Sequence, residues 1–254
     1  MTTSLLAVLA ATMVATSFLS GIFGMAGGMI LLGVLLALLT LPEAMALHAV
    51  TQIASNGWRG VLWVGHVRWR AASWFLLGCA ASFAVWSIWR YVPSKPLTLI
   101  LLGATPFMVR MLPAGRKPDP DRPVHGVLVG AASMILMLLA GVSGPLIDTF
   151  FLGGKFERRQ IIATKAACQV FCHGAKLAYF GGIVERAGSL DPWLAGLAMV
   201  ASVTGTSLAK PVLERLSDAQ YRRWANHIIT TIALAYIAQG LYQLASTASK
   251  GMLQ

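Results

Sequence analysis

Two sets of polar side chains stand at matching intervals in otherwise apolar sequence. His48, Gln52, Asn56 and Arg59 follow one another at steps of four, four and three residues, and Lys165, Gln169, His173 and Lys176 repeat those steps. Steps of three and four place side chains on one face of an α-helix. The offset between the sets is 117 residues throughout, and it also carries Ala46 onto Ala163, Gly57 onto Gly174 and Gly65 onto Gly182. Both stripes are basic. Arginine and lysine make charge-assisted hydrogen bonds to oxyanions, and asparagine and glutamine amides add neutral donors. Asp148 is the one acid within the apolar stretches, so the stripes are not neutralised by carboxylates of the chain. A bound anion would supply the missing charge, and these eight residues are the candidate binding set.

The elements that must carry the stripes are long apolar helices. Of the 254 residues 57% are hydrophobic and only 11% charged, against about 25% charged in soluble domains, and the mean hydropathy is +0.70. Apolar runs of about 20 residues succeed one another, as in a polytopic membrane protein surrounded by lipid. The net charge of +11 does not indicate nucleic acid, because the cations lie in short connections where membrane topology accounts for them. Cys79, Cys168 and Cys172 all fall in apolar runs, which gives no disulfide framework. No Lys or Arg precedes Arg59, so the first apolar run does not read as a cleaved secretory signal.

Residues 4–40 are apolar but interrupted by Gly21, Gly24, Gly27 and Gly28. As one helix they would extend about 55 Å, nearly twice the hydrocarbon thickness, so the glycines are expected to divide them into pieces at about 4–20 and 29–40. Gly24, Gly27 and Gly28 either expose backbone amides to a ligand or permit close helix packing. Pro42 and Glu43 read as a short turn, and the first striped helix as about 44–64. Further runs are expected at about 71–89 and 97–112. The stretch from Pro113 to Pro123, with four prolines, is the natural boundary between halves. The second half follows the same plan, with runs at 124–140 and 146–152, a striped helix at 160–183, runs at 192–209 and 225–246, and a basic loop over 210–223. Gly141 and Gly144 match Gly21 and Gly24 at an offset of 120.

The expected architecture is therefore an all-α membrane protein of about 8–10 transmembrane segments, built from two repeats of about five elements, 1–112 and 124–254, joined by a linker at 113–123. If each glycine-broken pair enters and leaves on one side, 13 Lys and Arg share one face and 4 the other. Positive loops stay in the cytoplasm. The linker is then cytoplasmic, both termini lie outside a bacterial-type inner membrane, and the repeats are inverted. Inverted repeats with broken helices are the architecture of secondary transporters, whose sites lie near the midplane.

Other roles stand beside these. Arg59 and Lys165 lie about five residues from helix ends, within reach of snorkelling to the interface. Lys176 has a salt bridge to Asp148 as its structural alternative, and Asp148 is expected to pair with Lys165 or Lys176 or to carry a coupling proton. Gln52 and Gln169 are equally able to join helices. Cys168, Cys172 and His173 read as packing rather than as a metal site, and no cofactor is expected. Gly141-Val-Ser143-Gly144 also fits an intramembrane serine protease motif with His173 or His227 as base. However, the residue matching Ser143 in the first half is Phe23. An anion channel would share the basic path.

The Gly-rich break Gly21-Ile-Phe-Gly24-Met-Ala-Gly27-Gly28 resembles the signature of the TauE/SafE sulfite exporter family. So does its second-half partner Gly141-Val-Ser-Gly144, followed by Ala163-Thr164 and Gly181-Gly182. The resemblance covers nearly the whole chain. It implies a transporter, not an enzyme, that moves sulfite or a small organosulfonate, with export the expected direction and a proton or ion gradient as coupling partner. A homodimer is compatible with it. Two departures concern the substrate: Ala26-Gly27-Gly28 stands where the family has three glycines, and Pro145 and Asp148 occupy a usually glycine-rich segment.

Overall fold

In the computed structural model the described residues are 3–23, 25–111, 118–152, 154–184, 191–215 and 218–251. They form ten α-helices and no strand. The first five are α1 (Thr3–Phe23), α2 (Met25–Leu38), α3 (Leu41–Leu62), α4 (Trp69–Trp89) and α5 (Lys95–Arg110). The second five are α6 (Pro123–Ala140), α7 (Gly144–Leu152), α8 (Arg158–Ala178), α9 (Pro192–Arg215) and α10 (Asp218–Gly251). Helices α1, α4, α6, α9 and α10 each hold a stretch long and apolar enough to cross a bilayer. Helices α3 and α8 have 22 and 21 residues, long enough to cross, but their polar stripes lower the hydropathy. The protein is an all-α polytopic membrane protein.

The helices pack in matched sets. α1 runs along α9 and α6 along α4, α3 packs on α8, and α5 packs on α10. Small residues make the tightest of these contacts possible. A Cβ on Gly78 would lie 2.0 Å from the Val127 carbonyl oxygen, and one on Gly130 would lie 2.0 Å from that of Phe75. This closes α4 on α6 from both sides, as expected where dispersion and close backbone approach drive helix association in lipid.

Both striped helices start with the same device. Thr40 caps α3: Glu43 N–H donates to Thr40 Oγ1, and Thr40 N–H donates to Glu43 Oε2 at 2.9 Å. Glu157 and Gln160, 117 residues on, form the equivalent capping box at α8, with Glu157 N–H donating to Gln160 Oε1 at 3.2 Å. Reciprocal bonds of this kind satisfy amides that the first turn leaves open. Pro42 and Glu43 are thus the first turn of α3 rather than a separate turn.

Three boundaries differ from the sequence reading. Gly21 lies inside α1, and Gly27 and Gly28 lie inside α2, rather than between the two pieces. The expected basic loop 210–223 is mostly helix, because α9 runs to Arg215 and α10 starts at Asp218. With 34 residues, α10 is about 51 Å long, so its first turns continue beyond the apolar window Asn226–Ser246. Helix α8 ends at Ala178 and continues as a π-turn, Tyr179–Val184.

Candidate functional site

The two stripes meet where α3 packs on α8. His48, Gln52, Asn56, Gln169, His173 and Lys176 are all buried, Lys176 completely. Lys176 Nζ lies 2.6 Å from His48 Nδ1 and donates to the Gly141 carbonyl at 2.9 Å. His48 Nε2 is 2.9 Å from the Gly28 carbonyl. A carbonyl oxygen only accepts, so Nε2 carries the hydrogen. The His173 ring stands edge-on to His48 with centroids 5.5 Å apart, and its Nδ1 is buried without a hydrogen-bond partner.

Gly141 is the pivot of this arrangement. It ends α6 in the left-handed conformation, φ 76°, which a residue without Cβ adopts at no steric cost. A Cβ there would also lie 2.4 Å from Leu32 Cδ2. Lys176 therefore places its Nζ at the carbonyl end of α6, where the helix dipole is negative. Beyond the break, Leu146 and Ile147 N–H both donate to the Ser143 carbonyl at 3.1 Å and start α7. Ser143 Oγ is buried without a partner.

The glutamines lie against the broken helices. A Cβ on Gly28 would come 3.3 Å from Gln52 Nε2, and one on Gly144 would come 3.7 Å from Gln169 Nε2. Gly28 thus lets the Gln52 amide approach the backbone of α2 closely, whereas a Cβ on Gly144 would stand at ordinary contact distance from Gln169 and closer, at 3.1 Å, to Met25 Cβ. Gly27 acts by close packing, since a Cβ on it would lie 1.9 Å from the Thr16 carbonyl oxygen of α1. Gly24 lies outside the described residues.

The remaining stripe residues are engaged otherwise. Asn56 Nδ2 donates to the Gln52 carbonyl at 2.9 Å, and Arg59 Nη2 donates to Asn56 Oδ1 at 3.0 Å. Lys165 forms an ion pair with Asp148, both side chains mostly buried. Lys176 does not take that acid. Asp148 and Lys165 follow Gly28 and His48 by the repeat offsets of 120 and 117, so this ion pair occupies the place of the His48–Gly28 hydrogen bond in the other half. Cys79 Sγ lies 3.6 Å from Cys172 Sγ and donates to the Gly130 carbonyl. These thiols pack where α4, α6 and α8 meet. A groove of about 670 Å³ lined by Trp86, Trp89, Arg90, Tyr91 and Val92 lies at the end of α4, among residues outside both stripes.

Gly141 was not among the expected ligands, although its role follows from a helix-ending glycine in the left-handed region. The capping boxes were legible as Thr40-x-x-Glu43 and Glu157-x-x-Gln160 at the repeat offset.

Residues 8–236 match the family model described as "Sulfite exporter TauE/SafE". No curated protein and no solved structure matches the chain. With nearly its whole length matched to that model, the chain belongs to the TauE/SafE sulfite exporter family.

Proposed function

We propose that this membrane protein is a secondary transporter of a small sulfur-containing oxyanion, sulfite or an organosulfonate, exported by alternating access. Residues 1–112 and 124–254 act as inverted repeats around the α3–α8 contact, with the 113–123 linker in the cytoplasm and both termini outside an inner membrane. The matched packing of α1 with α9 and α6 with α4 supports a duplicated plan. The anion is held between the stripes by Lys176 and Arg59 as cations and by Gln52, Gln169 and Asn56 as neutral donors, with the amide end of α7 at Gly144 adding a positive dipole. Asp148 serves this scheme by neutralising Lys165, not as a ligand.

The observation that carries the reading is Lys176. It is fully buried, and its partners are an imidazole and a carbonyl rather than a carboxylate. An ammonium at membrane depth is costly unless it has a task. If each cation bonds the anion, each contributes about 1.5–3 kcal/mol. Lys176→Gln and Arg59→Gln then weaken anion affinity tenfold or more, at about 1.4 kcal/mol per tenfold. Affinity for sulfite and methanesulfonate on purified, monodisperse protein decides this, and wild-type affinity in both variants removes the stripes from the site. Saturable flux in vesicles separates a transporter from a channel. The protease reading has less support, since Ser143 Oγ makes no hydrogen bond to an imidazole in this conformation and His227 Nδ1 donates to the Arg223 carbonyl.

A further inference from the structure

His48 and Lys176 form a buried chain of two basic groups between two carbonyls: Gly28 at one end and Gly141 at the other. The protons of this chain can be counted. The Gly28 carbonyl requires a hydrogen on His48 Nε2, and the Gly141 carbonyl requires one on Lys176 Nζ. A neutral lysine amine has two hydrogens, one for Gly141 and one for His48 Nδ1, so the uncharged pair fills every bond of the chain. With one more proton the pair is a cation, held as ammonium or as imidazolium, and every bond of the chain is still filled. The pair gains or loses a proton without breaking a hydrogen bond.

The Lys165–Asp148 pair lacks this property. A proton removed from Lys165 or added to Asp148 leaves its partner an uncompensated charge. We propose that His48 and Lys176 together hold the proton that travels with the anion: the pair is uncharged in the empty site and takes up one proton when an anion binds. The balance is A⁻ plus H⁺ plus neutral pair giving anion beside singly protonated pair, with no other group changing charge. Charge burial gives the reason, since a cation alone at membrane depth is costly and an anion beside it offsets that cost. The inference rests on the anion-transport reading above.

Other titratable groups on the packed elements have fixed parts in this scheme. On α8, His173 faces His48 edge-on and Lys165 is paired with Asp148 of α7. In the π-turn, the Tyr179 hydroxyl donates to the Tyr91 carbonyl. Arg59 on α3 keeps its charge at all working pH. Cys172 on α8 faces Cys79 of α4, and Cys168 is buried on the same helix.

The test is proton uptake on anion binding to the purified full chain, followed with a pH indicator in weak buffer and by calorimetry from about pH 6 to about pH 9. Methanesulfonate is the main probe, because it stays ionised throughout and any proton taken up belongs to the protein; sulfite is run in parallel. The expected result is an uptake approaching one proton per anion at the alkaline end, with affinity falling about tenfold per pH unit there. Lys176→Arg keeps the charge permanently and is expected to bind with no uptake and a flat pH profile. Should that variant fail to fold, His48→Gln, whose amide reproduces both bonds but holds no proton, is expected to move the profile by about one pH unit or more. Methanesulfonate or sulfite binding without uptake and with flat affinity overturns the proposal and leaves the transport reading intact. So does a wild-type profile in either variant. Absence of binding for both anions at every pH overturns the transport reading, and the proposal with it.

Discussion

Replacing Asp148 by asparagine isolates the charge that holds Lys165 at depth. The two side chains are 17% and 25% exposed, so both are largely out of water but not sealed. Removing one partner of a fully buried pair costs 3–5 kcal/mol, because the other charge remains without compensation. Partial exposure puts Asp148→Asn at the low end, about 3 kcal/mol. At roughly 2–4 °C per kcal/mol for a chain of this size, the melting temperature in detergent falls by about 6–12 °C. Adding Lys165→Gln removes the orphaned cation and is expected to recover most of that loss. The assay is thermal unfolding of the wild type, both single variants and the double, read as a double-mutant cycle. A single Asp148→Asn variant as stable as wild type, or a double variant no more stable than it, refutes the reasoning. Loss of pH-dependent transport with stability unchanged would instead return the coupling proton to Asp148.

Two further outcomes follow from the fold and the charge pattern. Gly141→Ala forces a side chain into φ 76° and against Leu32, and strain of that kind costs about 1–3 kcal/mol before any clash. Thermal unfolding is expected to show it, and a fully stable variant would mean that the α6 end rearranges freely. A cysteine introduced at Asp119, labelled in intact cells and in inverted vesicles, is expected to react only from the cytoplasmic side. Labelling from the outer side would reverse the proposed topology.

Much of this molecule is written locally. The apolar runs, the stripes at helical spacing and the repeat offsets depend on composition and on the 3.6-residue period alone, so the helices and both basic faces are legible without coordinates. The family resemblance rests on the same local signals. Partner choice is not local. Sequence spacing leaves Lys165 and Lys176 equally entitled to Asp148, and only the packing of α7 against α8 assigns it to Lys165. Lys176 is directed instead to the end of α6 and to His48, on a helix 128 residues away in sequence. The glycines divide the same way. Their presence announces a break or a close approach, but only the neighbour at 1.9 Å from a would-be Cβ shows that Gly27 serves packing, while among the described residues Gly141 is the glycine with positive φ. Burial, hydrogen-bond pairing and charge compensation are properties of residues brought together from distant parts of the chain, and they exist only once the helices are in place.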